Sequence, residues 1–253
     1  MTLANKTALI TGGGGAIGEA ISTELLKNNL QVLAVVDIYS QEPKLISEWR
    51  VKFPNSVIRY YPVDVSVQKE LENCYAHFVE DKKLDIVVNC AGIYNENILR
   101  RVVEVNLIGV IQSTLIAMEY MRADNGRGDG GVILNIASIT GIEPISMAPT
   151  YSATKHGVIS FTRALAHGRD GLGIKFLTLC PGATHSSLYG QVLKSSFMCD
   201  DELRERMKQK LILQEPEAVG RASVKQIIEG QSGSVWIIED NTITHPTMSD
   251  IRV

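Results

Sequence analysis

Thr11-Gly12-Gly13-Gly14-Gly15-Ala16-Ile17-Gly18 follows the apolar run Thr7–Thr11 and opens the amphipathic segment Ala16–Lys27. A strand that runs into glycines and continues as a helix is the start of a βαβ unit, the context in which a glycine pattern carries meaning. Missing side chains let a backbone approach a pyrophosphate, whose charge the N–H groups and dipole of the helix N-terminus stabilise. Gly12, Gly14, Gly15, Ala16, Ile17 and Gly18 are therefore the candidate phosphate cradle. Asp37 closes the next strand candidate about 20 residues on, where a carboxylate binds the hydroxyls of an adenosine ribose. A 2′-phosphate about 4 Å from that carboxylate is opposed by ~1 kcal/mol per charge pair in water and ~4 at an effective dielectric of 20. Neither the loop nor residues 38–41 contain Lys or Arg to offset this. The expected cofactor is NAD rather than NADP.

Working outward, strand and helix patterns alternate along the chain. Gln31–Val36, Val57–Val63, Leu84–Val88, Val132–Ala137, Ile174–Leu179 and Ser234–Ile238 read as further strands. Pro43–Phe53, Val67–Glu80, Arg101–Met121 and Tyr151–Ala166 read as helices, the third apolar all round as expected of a helix buried on two sides. Unbroken apolar strands alternating with helices predict a parallel sheet covered on both faces. Asp124–Gly131, between a helix and a strand, reads as plain loop. No repeat or linker divides residues 1–253, so the expectation is one α/β domain, a Rossmann-like doubly wound sheet of about seven strands.

Composition limits the function classes. The chain has 253 residues, 45% hydrophobic and 21% charged, with a net charge of −3 and no basic cluster. Nucleic acid and an anionic membrane are not the expected partners. No apolar leader and no run near the ~18 residues of a membrane span are read in the sequence, so the expected location is cytoplasmic. Cys74, Cys90, Cys180 and Cys199 lie far apart, and none of the five histidines shows ligand spacing, so buried inert thiols and no metal are expected.

Tyr151-Ser152-Ala153-Thr154-Lys155, with Ser138 thirteen positions upstream, carries the chemistry. None of the other seven tyrosines has Lys four residues on. Residues four apart on a helix share a face, so Lys155 lies beside the Tyr151 phenol. A free phenol titrates near ~10, too high for a base at neutral pH. A neighbouring ammonium and the positive nicotinamide of NAD⁺ both favour the phenolate and are expected to lower that value. Phenol, cation and hydroxyl form a set suited to moving hydride between a nicotinamide and an alcohol or ketone.

These residues together resemble the short-chain dehydrogenase/reductase family over nearly the whole chain. The family's T-G-x-x-x-G-x-G is matched by Thr11-Gly12 and Ala16-Ile17-Gly18, its adenine contact by Asp64-Val65, and its N-N-A-G turn by Asn89-Cys90-Ala91-Gly92. Asn106 matches its asparagine, Ser138, Tyr151 and Lys155 its active-site positions, and Pro181-Gly182-Ala183-Thr184-His185-Ser186 its nicotinamide-positioning segment. The resemblance implies that Tyr151 takes the alcohol proton and Ser138 binds the developing alkoxide. It also implies that Lys155 holds the nicotinamide ribose, while Asn106 fixes a water-linked proton path. Asn89, Ala91, Gly92, Pro181, Gly182, Thr184 and Ser186 are implied cofactor contacts. Ala16, Cys90 and Ser186 depart from the usual Gly, Asn and Thr without removing a catalytic group.

Within the family the chain looks like the insect-type alcohol dehydrogenases and 15-hydroxyprostaglandin dehydrogenase. The prostaglandin branch carries a glutamine before Pro-x-Tyr, where this chain has Met147-Ala148. Ile93, Tyr94, Ile142, Met147, Ala148, Leu188, Tyr189, Val192 and Phe197 are the expected pocket, with residues 187–213 as the substrate-binding loop or helices. Its apolar character suits a small hydrophobic alcohol or carbonyl compound. The alternatives are a lipid alcohol of the prostaglandin kind, a carbonyl reductase, or a dinucleotide-binding protein without turnover. The family implies a homodimer or homotetramer built on Arg101–Met121 and Tyr151–Ala166.

Overall fold

The computed structural model describes residues 2–80, 82–194, 202, 205 and 212–246. Its centre is one sheet of eight strands: β1 (Thr7–Thr11), β2 (Val32–Asp37), β3 (Val57–Pro62), β4 (Ile86–Asn89), β5 (Gly131–Ile136), β6 (Ile174–Pro181), β7 (Val235–Glu239) and β8 (Thr242–Thr244). They lie in the order β3-β2-β1-β4-β5-β6-β7-β8. All pairs are parallel except β7 with β8. Among the described residues the helices are α1 (Ala16–Lys27), α2 (Lys44–Lys52), α3 (Gln68–Val79), α4 (Leu99–Val103), α5 (Val110–Met121), α6 (Pro149–Ala166), α7 (Ser187–Lys194) and α8 (Pro216–Glu229).

Alternate residues of each strand point to opposite faces and find different helices there. Ile10, Leu33, Val35, Val88, Leu134 and Leu179 pack with Ile21 and Leu25 of α1, Trp49 of α2 and Val219 and Ile227 of α8. Leu9, Ala34, Val36, Val87, Ile133 and Phe176 pack with Tyr75 and Phe78 of α3, Ala117 and Met121 of α5 and Leu165 of α6. The strand order reverses between β1 and β4, and a ligand crevice belongs outside the carboxyl ends of the strands at that point.

Three features differ from the sequence expectation. The eighth strand returns from β7 through Asp240 and Asn241, with φ of 47° and 57°. Two left-handed residues between antiparallel strands are the preferred hairpin turn, and Asp and Asn adopt them readily. α8 is not among the helices read from the sequence, although Pro216 at its first position is a start signal. Arg101–Met121 is part of a longer helical run, Leu99–Met121, whose middle residues Glu104–Gly109 widen into a π-turn. Contrary to the sequence expectation, this 23-residue run has the length and apolar composition of a membrane span. Half of its most apolar window is buried in the fold, and Arg100, Arg101 and Glu104 occupy its first turns.

Candidate active site

The carboxyl ends of β1, β2, β4, β5 and β6 open into one cleft of about 490 Å³. Gly12, Gly15, Ala16, Ile17 and Gly18 form part of its wall. Two glycines are required by close approach. A Cβ on Gly12, whose φ is +68°, would lie 2.6 Å from the Ala91 Cα, and one on Gly18 would lie 2.1 Å from the Gly12 carbonyl oxygen. The loop thus folds onto itself and onto the β4 turn. α1 begins at Gly15 with no side-chain cap, so its first-turn N–H groups remain available to an anionic ligand.

Gly14 has a different part from the other loop residues: its N–H donates to Asp37 Oδ2 at 2.8 Å, while the Ile38 N–H donates to Oδ1 at 2.8 Å. Both carboxylate oxygens of Asp37 are oriented by backbone at the cleft wall. Further along that wall are Asp64, Val65 and Arg101. Arg101 Nη2 donates to Asp64 Oδ2 at 2.6 Å, and the Ser66 N–H and hydroxyl donate to Oδ1 at 3.0 and 2.7 Å. Burial pushes the Asp64 carboxyl up, but the bonds from Ser66 and Arg101 outweigh it and hold it below the ordinary carboxylate range. Arg101 lacks any motif in the sequence; only its packing beside Val105 reveals it as a wall residue.

Ser138, Tyr151 and Lys155 come together on the same cleft. Ser138 follows β5, and its hydroxyl accepts from the Thr140 N–H at 3.2 Å and from the Thr140 hydroxyl at 3.0 Å, holding the side chain at the mouth of a short 3₁₀ turn. It also hydrogen-bonds the Tyr151 phenol. Lys155 Nζ lies 5.6 Å from the centre of the Tyr151 ring and donates to the Ile136 carbonyl at 3.0 Å. Burial lowers the Lys155 ammonium to about 8, against the opposing influence of Cys90 and Cys180. Burial likewise pushes the Tyr151 phenol above its ordinary value, and the Ser138 bond recovers only part of that. The expected lowering by the ammonium is therefore not produced by the protein alone, because desolvation of the phenolate dominates.

Asn106 sits in the π-turn, fully buried, with its amide clasping the Ile93 backbone: Oδ1 accepts from the N–H at 2.8 Å and Nδ2 donates to the carbonyl at 2.9 Å. A Cβ on Gly92 would lie 3.6 Å from both Asn106 Oδ1 and Lys155 Nζ, which locates the amide near the ammonium. Ala91 and Gly92 line the cleft, whereas Asn89 does not. Asn89 is 1% exposed and ties the layers together through Thr114, Asn135 and Ser113 at 3.0, 2.8 and 2.5 Å. The side chain faces α5, which carries Ser113 and Thr114.

Pro181, Gly182, Thr184 and Ser186 follow β6 along the wall. The Thr184 hydroxyl donates to the Gly182 carbonyl at 2.9 Å and accepts from Gln214 Nε2 at 3.3 Å. Ser186 accepts from the Tyr189 N–H at 3.2 Å, which makes it the cap of α7. Gln214, 2% exposed, also donates to the Ile238 carbonyl at 2.8 Å and pairs by backbone with Ala183 and His185. Nothing in its sequence context signals this latch.

The apolar residues of the wall include Ile93, Ile139, Ile145, Leu188 and Tyr189. Ile139 and Ile145 were outside the expected pocket. Tyr94, Met147 and Ala148 are buried behind Tyr151 instead of lining the cleft, and neither Ile142 nor Val192 lines it. Phe197 and most of 195–211 lie outside the described residues. Cys90 lines the cleft, but burial pushes its thiol up to about 12 despite Lys155 nearby.

Comparison with known proteins identifies the family and the fold. The family described as short chain dehydrogenase matches residues 6–195. A 15-hydroxyprostaglandin dehydrogenase [NAD(+)] from Rattus norvegicus is 32% identical over 98% of this chain and 91% of that protein. Alcohol dehydrogenase 1 from Ceratitis cosyra is 33% identical over 96% of this chain and 95% of that protein. Among solved structures, levodione reductase superposes with a TM-score of 0.79 at 23% identity, over 94% of this chain and 97% of that one. ElxO with NADP bound gives 0.77 at 24% identity, over 92% and 97%.

Proposed function

This chain belongs to the short-chain dehydrogenase family, and from that premise we propose that it oxidises a hydrophobic primary or secondary alcohol to the aldehyde or ketone with NAD⁺. The observation that carries the reading is the gathering of Ser138, Tyr151 and Lys155 on the cleft whose wall also holds Asp37. The protein atoms suit a dinucleotide: an uncapped helix N-terminus for phosphates, an oriented carboxylate for a ribose diol, and a second carboxylate, Asp64, for an amino group. A bound nicotinamide ring supplies the hydride acceptor. The alcohol hydroxyl loses its proton to the Tyr151 oxygen, whose phenolate form the charge of bound NAD⁺ would favour against the desolvation that raises it in the protein alone. Ser138 donates a hydrogen bond to the substrate oxygen as charge develops on it. Lys155 keeps a positive charge beside the phenolate, and Asn106 holds the Gly92–Ile93 turn against that lysine. General-base catalysis of this kind contributes ~10²–10⁴-fold.

NAD is preferred on electrostatic grounds. Among the described wall residues the cations are Arg101, bound to Asp64, and Lys155, beside Tyr151, so nothing there offsets a 2′-phosphate facing Asp37. The substrate is argued to be hydrophobic from Ile93, Ile139, Ile145 and Leu188. A lipid alcohol is the second reading, favoured by the similarity to the rat dehydrogenase. We also infer a homodimer that uses the exposed apolar side chains of Leu99–Met121.

The test is a panel of primary, secondary, terpenoid and steroid alcohols with NAD⁺, followed by NADH absorbance, beside fluorescence titrations with NADH and NADPH. Turnover of at least one hydrophobic alcohol and tighter binding of NADH are expected. Tyr151→Phe is expected to lower kcat by at least ~10²-fold while NADH affinity stays unchanged. Full turnover by this variant would remove Tyr151 from the mechanism.

A further inference from the structure

Ala148 precedes α6 and has only a methyl group, so the helix that bears Tyr151 has no side-chain cap of its own. Its first turn-closing bond is from the Ser152 N–H to the Ala148 carbonyl at 2.8 Å. The N–H groups of Thr150 and Tyr151 thus lack partners within the helix. Both are taken up by a residue more than 50 positions earlier: Glu96 Oε2 accepts from Thr150 at 3.0 Å and Oε1 accepts from Tyr151 at 2.9 Å. Glu96 is 5% exposed. A buried carboxylate persists only when hydrogen-bonded or paired, and its partners among the described residues are these two N–H groups at the positive end of the helix.

We propose that Glu96 is a positioning residue that locks the Tyr151 phenol to the loop bordering the cofactor cleft. This rests on reading Tyr151 as the base. The loop running from Ala91 to Glu96 lines the cleft with Ala91, Gly92 and Ile93 and grips Asn106 through the Ile93 backbone. Its Tyr94 packs edge-on against the Tyr151 ring, centroids 6.0 Å apart, and donates to the Met147 carbonyl at 2.8 Å. Glu96 completes this set of ties with a bond from the Tyr151 backbone N–H itself. Proton transfer demands a narrow range of distance, and the carboxylate determines how far Tyr151 stands from the wall that orients the substrate.

Glu96→Gln keeps the shape but turns an NH₂ group toward one of the two N–H donors. The single-turnover rate of NADH formation, normalised to sites titrated with NADH, is expected to fall about 10- to 100-fold, since a misplacement of about 1 Å can cost 10²-fold. NADH affinity is expected to stay the same. Hydrogen exchange in the cofactor-free protein is expected to accelerate at the Thr150 and Tyr151 amides. Glu96→Asp, which retains the charge one methylene short, is expected to show a smaller change in the same direction and serves if the glutamine variant does not fold. An unchanged normalised rate with faster exchange would reduce Glu96 to a helix cap and overturn the proposal. Unchanged exchange would overturn the capping itself. Retained turnover in Tyr151→Phe would instead remove the base on which the proposal rests, whatever Glu96→Gln does.

Discussion

Lys155 illustrates what a buried ammonium demands of a fold. It is 3% exposed, with an ammonium lowered to about 8 by burial, and it donates to one backbone carbonyl in return. Its folded pKa lies below the unfolded value, so the unfolded chain binds more protons between about 8 and 10.5 and stability contributed by this group rises with pH across that window. Lys155→Met is therefore expected to abolish turnover yet stabilise the protein at pH 7 relative to its effect at pH 10.5. The difference between the two pH values is on the order of 3 kcal/mol, read by urea unfolding of both proteins. A pH-independent difference would mean that the ammonium is not destabilised. That Ser138, Tyr151 and Lys155 meet on one cleft was legible in the sequence, because a candidate catalytic set needs particular side chains at particular spacings. Glu96, Arg101 and Gln214 were not, since each acquires its role from partners far away along the chain.

Secondary elements were legible to within one or two residues where hydrophobic period and terminal signals agree, as for β1 and α1. Their mutual approach is another matter. Gly220 of α8 faces α1 so closely that a Cβ would lie 2.6 Å from the Ala20 carbonyl oxygen. Alanine in a helix interior gains about 0.5–1 kcal/mol over glycine, whereas a clash with backbone in a packed interface costs about 1–3. The clash involves no flexible side chain and wins. Gly220→Ala is expected to destabilise the protein by about 1–2 kcal/mol in thermal or urea unfolding, with kcat unchanged below the transition. A stabilised variant would show that the helices separate freely. The π-turn at Glu104–Gly109 belongs to the same class of feature. Its Gly109 stands against the Val65 carbonyl, where a Cβ would lie 3.0 Å away, and the hydrophobic period of Leu99–Met121 does not reveal it.

For the whole molecule, one sheet order brings the glycine loop, Asp37, Ser138 and the Pro181–Gly182 segment to the same edge. The long helical run on that molecule's outer layer leaves Leu99, Ile108 and Leu115 at 61%, 38% and 45% exposure. Full burial of such a side chain yields about 1.5–3 kcal/mol, so covering the exposed half of each against a second copy yields roughly half of that, enough to matter in a symmetric interface where every contact occurs twice. Leu115→Glu is expected to convert a dimer into a monomer in sedimentation velocity, with NADH binding retained. A wild-type monomer at the same concentration would exclude this surface as the interface. By itself the amino-acid order determined the α/β class and the family, and it singled out the glycine loop, Asp37, Ser138, Tyr151 and Lys155 as the candidate site, because these depend on local periodicity and on side-chain chemistry at short spacings. Only the tertiary structure decided that Asn89 braces the core, that Tyr94 and Ala148 stand behind Tyr151, and that Glu96 holds its helix. Burial and hydrogen-bond partnership are settled by which distant segments meet, and no short stretch of sequence contains that information.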